Sequence, residues 1–281
     1  IGKAALTIKA NDQTITYGES ITEGTDQVTA AALCTGDTLK GITLNASTKN
    51  VPGGTITPSA AQIQNSSGAD VTANYSITYE TGTLTINKSR PTIAFASGYD
   101  PSKTYDGQTI PNPTAGNLAI TGANYADVTF EWSAEPKKAG TYTLTASIKE
   151  TPNTEEASTD PLTVTISKAP LTVTGATVAS KTYNGNADAS VSGVTFDGLV
   201  SGETLALGTD YTSTGTFAAA NAGTGKSVTV AVTLKDSAKA KNYNLINSSV
   251  NATGDITKAS QTAPSITGLP TGAITYGDAF T

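Results

Sequence analysis

Four times along this chain, a lysine followed by Ala or Ser opens a segment that goes on to a Thr-Tyr pair and one or two turn formers. The starts read Lys3-Ala4-Ala5-Leu6-Thr7-Ile8 with Thr16-Tyr17-Gly18-Glu19, and Lys88-Ser89-Arg90-Pro91-Thr92-Ile93 with Thr104-Tyr105-Asp106-Gly107. The third is Lys168-Ala169-Pro170-Leu171-Thr172-Val173 with Thr182-Tyr183-Asn184-Gly185, and the last is Lys258-Ala259-Ser260 with Thr275-Tyr276-Gly277-Asp278. Later markers keep the same order. Gly53-Gly54-Thr55, Ala139-Gly140-Thr141-Tyr142 and Ala222-Gly223-Thr224 follow the repeat tyrosines at similar distances. The unit ends agree too: Leu84-Thr85-Ile86-Asn87-Lys88, Val164-Thr165-Ile166-Ser167-Lys168 and Gly254-Asp255-Ile256-Thr257-Lys258. Asn74-Tyr75 and Asn242-Tyr243 precede the first and third endings. Collinear markers imply tandem repeats. The expected units are 1–88, 89–168 and 169–258, with 259–281 the start of a fourth.

A repeat this short must form its core from few elements, and those read as strands. Leu6/Ile8, Leu84/Ile86, Leu162/Val164/Ile166, Leu171/Val173, Tyr142/Leu144/Ala146/Ile148 and Val228/Val230/Val232/Leu234 recur with period two. That period puts alternate side chains on opposite faces. Threonine fills many of the intervening positions; it suits a solvated strand face because it is β-branched and its hydroxyl meets water. Asp106-Gly107 and Asn184-Gly185 are turn pairs that tolerate positive φ. The best helical stretch, Ser237–Lys241, amounts to one short turn. The fold class is therefore all-β: tandem small domains, each an Ig-like sandwich or a β-grasp-like sheet, two topologies that the pattern alone does not separate. The domains are expected to stand end to end as an elongated rod; compact units of this size would span roughly 100 Å three in line.

Composition narrows the chemistry. There is no histidine, which removes Ser-His-Asp and Cys-His catalysis and imidazole metal ligation, and the single Cys34 cannot make an intrachain disulfide. A net charge of −6 argues against nucleic acid or an anionic membrane as partner. No apolar run approaches the length of a membrane-spanning helix. The opening Ile1-Gly2-Lys3 carries neither an initiator Met nor a leader, so the sequence reads as an internal piece of a longer polypeptide.

The motifs resemble the MBG and YDG domains that recur in large bacterial surface proteins. The segment Lys168–Lys258 is most similar to the YDG type through Ala169-Pro170-Leu171-Thr172-Val173-Thr174-Gly175, Ser180-Lys181-Thr182-Tyr183-Asn184-Gly185, Gly198-Leu199-Val200-Ser201-Gly202-Glu203 and Asn242-Tyr243. Asn184 stands where the family name has aspartate. Residues 3–88 and 259–281 resemble the MBG type, with Thr-Tyr-Gly in place of Tyr-Asp-Gly. The middle unit carries Thr104-Tyr105-Asp106-Gly107 but no Asn-Tyr pair in register, which leaves both a YDG and a bacterial Ig-like assignment open. The resemblance implies an extracellular, cell-surface setting and no catalysis. It transfers no binding residues.

Candidate sites can be weighed residue by residue. Tyr17, Tyr105, Tyr183 and Tyr276 could offer carbohydrate-stacking faces, but they recur with the turn, so each is expected to pack on its own domain edge and anchor that turn. Calcium would need several carboxylates together, as Asp100/Asp106 or Glu155/Glu156/Asp160 could offer; without an Asp-x-Asp-x-Asp run these read as solvated loops. A lysine–asparagine isopeptide would need a repeat-start lysine buried beside Asn74 or Asn242. Gly223-Thr224-Gly225-Lys226 has the wrong spacing for a phosphate loop and reads as a turn entering a strand. Cys34, after Ala31-Ala32-Leu33, reads as a small core or edge residue. Phe130 and Trp132 share a strand face and, with Tyr125, form the place to look for a ligand; a core role fits them better.

No catalytic, cofactor or metal residue is therefore assigned, and no enzyme activity is expected. The reading is a monomeric spacer or stalk whose partners are its neighbouring repeats, projecting an adhesive region from the cell. The rival is an adhesin module that itself binds host glycan or mucin-type glycoprotein, weakly and multivalently.

Overall fold

A computed structural model of the chain describes residues 2–122, 125 and 127–262. The expected fourth start, 259–281 with Tyr276, lies almost wholly outside the described residues. Strands account for the regular structure, with four short 3-10 turns at Thr25–Gln27, Thr72–Asn74, Ala115–Asn117 and Ala240–Asn242. The last of these falls at the Ser237–Lys241 stretch. Among the described residues there is no α-helix to cross a sheet, and each repeat has two sheets, so the topology is a sandwich and not a β-grasp.

The first repeat holds β1 (Ala4–Ala10), β2 (Gln13–Thr16), β3 (Val28–Ala31), β4 (Thr38–Ala46), β5 (Gly53–Gln64), β6 (Tyr75–Glu80) and β7 (Gly82–Asn87). One sheet runs β3-β1-β6 and the other β2-β7-β5-β4. The first and last extended segments each cross from one sheet to the other at a short break, and they lie parallel in both: Ala4 pairs with Tyr75, and Gln13 with Leu84. The second repeat holds β8 (Thr92–Phe95), β9 (Lys103–Thr104), β10 (Leu118–Thr121), β11 (Val128–Trp132), β12 (Gly140–Ile148), β13 (Ala157–Ser158) and β14 (Leu162–Ser167). Its sheets are β10-β8 and β11-β12-β14-β9, with β13 also on β12. The third holds β15 (Ala169–Val178), β16 (Lys181–Thr182), β17 (Asp188–Ala189), β18 (Val191–Asp197), β19 (Tyr211–Phe217), β20 (Gly223–Leu234), β21 (Tyr243–Asn247) and β22 (Ser249–Thr257). Its sheets, β18-β15-β21 and β16-β22-β20-β19-β17, repeat the crossing: Ala169 pairs with Tyr243 and Lys181 with Ile256, both parallel.

Alternation decides which face each residue takes. Leu84 and Ile86 are buried while Thr83 and Thr85 face out, and Val228, Val230 and Val232 are buried between exposed Thr229, Ala231 and Thr233. Outward threonines meet across strands, as Thr141 with Thr165, Thr143 with Thr163, and Thr216 with Thr229. Such pairs each add a few tenths of a kcal/mol, up to about 1. The cores are small aliphatic clusters. Val173, Tyr211, Phe217, Val228, Val230, Val232 and Ile256 form the third, and Leu6, Ile8, Ala61, Ile63 and Tyr75 form part of the first. The chain divides into two compact units. One takes in Lys103 and the described residues before it together with Gln108–Ile166; the other takes in Thr104–Gly107 and the described residues from Ser167 on.

The glycine that opens the long strand after each repeat tyrosine is under different constraint in different repeats. Gly53 sits at φ +111°, and a Cβ there would lie 2.0 Å from the Leu84 carbonyl oxygen. At Gly140 the nearest atom to such a Cβ is 3.8 Å away and φ is ordinary. Gly53→Ala should therefore lower stability by about 2 kcal/mol or more, through left-handed strain and displacement of β7. Gly140→Ala should be neutral or raise it by about 0.5 kcal/mol, because glycine inside a strand is entropically costly. Urea unfolding of the two variants checks both signs.

Candidate functional site

Two repeats carry the same four-residue turn just beyond the end of an edge strand: Cys34-Thr35-Gly36-Asp37 after β3, and Val200-Ser201-Gly202-Glu203 after β18. Each is closed by a backbone bond, from Asp37 N–H to the Cys34 carbonyl (3.0 Å) and from Glu203 N–H to the Val200 carbonyl (2.9 Å). The third residue is a glycine at φ +91° or +84°, a region open to glycine without steric cost. Over each turn lies the tyrosine that begins the parallel strand, Tyr75 on β6 or Tyr243 on β21. Both phenol rings are buried. The Tyr75 hydroxyl accepts from the Cys34 N–H (3.0 Å) and donates to Asp37 (2.6 Å). The Tyr243 hydroxyl accepts from the Val200 N–H (3.0 Å) and donates to Glu203 (2.5 Å). A tyrosine, a turn amide and a carboxylate thus close one circuit in each outer repeat.

In the third repeat the circuit has a further member. Tyr105 and its turn belong by sequence to the second repeat but lie in the compact unit that contains Glu203. The Tyr105 hydroxyl donates to Oε1 of Glu203, so the carboxylate takes one phenol on each oxygen. The two rings meet edge to face with centroids 5.7 Å apart, a favoured aromatic geometry. A Cβ on Gly107 would come within 3.0 Å of Val200 Cγ1, so the turn lies directly on the Val200 loop. Backbone and lysine contacts hold the turn in shape: Tyr105 N–H donates to the Ser167 carbonyl (2.8 Å) and Lys103 Nζ to the Gln108 carbonyl (2.8 Å).

The second repeat replaces the tyrosine. Ser89, which follows the repeat-start lysine as Ala4 and Ala169 do, bridges to Thr154 where those alanines pair with Tyr75 and Tyr243. The register position is thus filled by Asn153-Thr154. Ser89 N–H donates to the Asn153 carbonyl (3.0 Å), and the Ser89 hydroxyl donates to that of Thr154 (3.1 Å). Asn153 reaches the first repeat: its Oδ1 accepts from Val51 N–H (3.0 Å) and its amide donates to Asn50 (3.1 Å). The expectation that this repeat has no Asn-Tyr pair in register holds, but an asparagine is present there and makes an inter-repeat contact.

Both circuits lie inside segments that match family models. Residues 6–85 match the model of the MBG domain (YGX type), and residues 167–253 match that of the YDG domain. The chain carries an MBG domain and a YDG domain. No curated protein matches the chain. Among solved structures it is similar to Drosophila N-cadherin EC1-4, at 11% identity over 89% of this chain and 74% of that one, with a TM-score of 0.23. It is also similar to Sidekick-1 immunoglobulin domains 1-5 (10% identity, 76% and 46% covered, TM-score 0.22) and to three N-terminal domains of the bacteriophage RB49 capsid protein Hoc (11%, 83% and 93%, 0.18).

The repeat tyrosines do not behave as one class. In the MBG domain Tyr17 packs beside the Leu44–Ile56–Leu84–Ile86 cluster, and its turn is closed by the Thr16 N–H donating to Glu19 (2.7 Å). The ring packs on its own domain as expected, but the turn is anchored by Glu19 and not by the Tyr17 hydroxyl. Tyr105 departs further: it is buried, and its hydroxyl is held by a carboxylate 98 positions away. In the YDG domain Tyr183 is 46% exposed, although its backbone is tied like that of Tyr105, N–H to the Thr257 carbonyl at 2.8 Å.

Other candidates stay apart. Glu155 pairs with Arg90 (2.9 Å), Asp100 caps Ser102 (2.9 Å), and among the described residues no three metal-capable side chains gather. Lys3, Lys168 and Lys258 are exposed and Lys88 pairs with Glu150, so no repeat-start lysine is the buried partner an isopeptide needs. Cys34 is exposed in the turn that follows the edge strand β3; the apolar neighbour that packs inward is Leu33. Gly223–Lys226 begins β20 at a bulge, Gly225 N–H donating to Asp255 (2.7 Å). Phe130 packs on the Ile93–Ala146–Ile148 cluster, Trp132 Nε1 donates to Asn112 (2.9 Å), and Tyr125 is exposed. No helix among the described residues is long and apolar enough to cross a membrane.

Burial and then the Glu203 bond push the Tyr243 phenol up to about 12; for Tyr75 the Asp37 bond comes first and the result is also about 12. Tyr105 is pushed up as well, by burial and then Glu203. An unfolded tyrosine ionises near pH 10, so between pH 10 and 12 the unfolded chain sheds protons that the folded circuits keep. The stabilisation is complete below pH 10 and is lost as pH rises toward 12. Tyr243→Phe should destabilise the YDG domain by about 1–3 kcal/mol at pH 7, since the Val200 amide and Glu203 lose their shared partner. It should also flatten the decline in urea midpoint between pH 10 and 12. An undiminished alkaline slope in the variant would contradict this assignment.

Proposed function

We propose that the chain is a run of non-catalytic spacer modules from a large bacterial surface protein, holding an adhesive region away from the cell. The observation that carries this reading is the fate of Tyr105. An aromatic presented for a ligand would keep its face and hydroxyl open; this one is buried in the circuit that braces the next repeat. Asn153 likewise spends its amide on Asn50 and Val51 of the preceding repeat. Polar side chains at repeat boundaries are therefore engaged with neighbouring repeats. Threonine-covered strand faces with low charge suit modules exposed along a stalk.

One feature favours the adhesin reading as a second candidate. Tyr17, Gly18, Glu19, Ile21, Asn45 and Lys49 line an open groove of about 460 Å³ in the MBG domain, joining an aromatic to charged and polar groups. A sugar unit is the ligand class such a lining suits. Immobilised mucin and a glycan array decide between the two. The spacer reading predicts no saturable binding of the chain up to about 100 μM. Micromolar binding to a defined glycan, abolished by Tyr17→Ala, would overturn it in favour of adhesion through this groove.

A further inference from the structure

In the MBG and YDG repeats the first and last segments lie side by side and parallel, which decides how each repeat carries tension. Residues 4–9 pair in unbroken register with 75–80, and 13–16 with 84–87. In the YDG repeat 169–171 pair with 243–245, Thr172 with Asn247, and 181–182 with 256–257. Parallel pairing puts the entry of the chain, at Ala4 or Ala169, and its exit, at Asn87 or Thr257, at opposite ends of the paired segments. Tension between entry and exit slides the two strands along each other, so the ladder bonds between them are strained together. In an antiparallel pair entry and exit would share one end, and the bonds would open one after another.

The second repeat has almost none of this ladder. Its first strand, β8, is flanked by β10 alone. On the side where β6 and β21 lie in the other repeats there is, among the described residues, one parallel bridge, Ser89 with Thr154. Two backbone bonds make it: Ser89 N–H donates to the Asn153 carbonyl (3.0 Å) and Glu155 N–H to the Ser89 carbonyl (2.9 Å). The chain then leaves for β13, which pairs with β12 in the other sheet. There, only the two-residue β9 lies beside β14. Lys88 with Glu150 and Arg90 with Glu155 tie the entry to the same loop, but these pairs lie at the surface, where each contributes about 1 kcal/mol or less.

We propose that the second repeat is a mechanical fuse: under tension along the chain it opens first, releases its length, and leaves the MBG and YDG domains folded. Forced unfolding is governed by the rate of crossing the unfolding barrier, and a repeat whose terminal segments share one bridge has little to break at once. The MBG domain, paired over the longest stretch in both sheets, opens last. Release of the second repeat caps the load that reaches the domains on either side. The inference stands apart from the spacer reading: a chain that bound glycan would open in the same order, and pulling and glycan binding fail independently.

The bridge itself supplies the test. The hydroxyl oxygens of Ser89 and Thr154 lie 3.1 Å apart in a buried site, so Ser89→Cys and Thr154→Cys place two thiols within bridging reach. Cys34→Ser removes the native thiol. The full chain is pulled from its two ends by atomic force microscopy, between marker domains of known unfolding force. With the thiols reduced, the lowest-force event should be the opening of the second repeat. Oxidation should take about 23 nm from that event, the extended length of chain closed between positions 89 and 154, and leave the others unchanged. An insertion of about 20 Gly and Ser residues after Gly98, around which a side chain meets open space, marks the same repeat without a disulfide and should lengthen the lowest-force event by about 7 nm. Either change falling on a higher-force event, or all repeats opening at one force, would overturn the proposal.

Discussion

A phenol buried in a small β sandwich needs both a donor and an acceptor for its hydroxyl, and in this chain that need ties distant segments together. Tyr75 and Tyr243 each begin a strand that lies parallel to the first strand of the repeat, and each finds its partners in the turn beyond an edge strand. The tyrosine thus fixes where three separate segments meet. Among the described residues no buried side-chain nitrogen or oxygen is left without a partner, so the circuits are complete. A satisfied polar network specifies one arrangement, whereas the aliphatic clusters around it would tolerate several.

Glu203 adds a second phenol to this device within the same compact unit. A carboxylate offers two oxygens and about four acceptor sites, and one hydroxyl uses only part of that capacity. The second oxygen takes Tyr105, so the side chain that closes the YDG sandwich also receives the turn before it. The second repeat, with Thr154 in place of the tyrosine, has no phenol to build such a receptor. Its boundary uses the neighbouring Asn153 amide. The Tyr17 turn of the MBG domain, closed by its own Glu19 and without the bracing lysine, accordingly stays on its own core.

The repeats, the strands and their inward and outward faces were legible in the sequence because they rest on local periodicity. Leu84, Ile86, Val164, Ile166 and the Val228–Val232 series are buried as period two requires. Sandwich and β-grasp were not separable, since both use the same alternating strands; the division of each repeat into two sheets, with no helix across either among the described residues, decides between them only in three dimensions. The circuit was half visible. Gly202-Glu203 and Asn242-Tyr243 stood out as motifs, but nothing local says that residues 40 positions apart share a proton, or that Tyr105 reaches Glu203 at 98. Thr154 carries no signal of its own in the sequence, because a tyrosine marks the same register position in the other two repeats. The surviving signal, an asparagine one residue before the register position, is too short to recognise without the pairing of Ser89. For Cys34 the apolar neighbours left core and edge both open; the structure takes the edge, because the turn that Cys34 begins is at the surface.

The central claim is that one carboxylate couples two phenols, and a double-mutant cycle between Tyr105→Phe and Glu203→Gln tests it most directly. Stabilities of the full chain, the two single variants and the double variant are measured by urea unfolding at pH 7. Coupling of about 1–2 kcal/mol between the two substitutions is the expected result. Additive effects, agreeing within about 0.5 kcal/mol, would show that the two side chains act independently and would contradict the coupling.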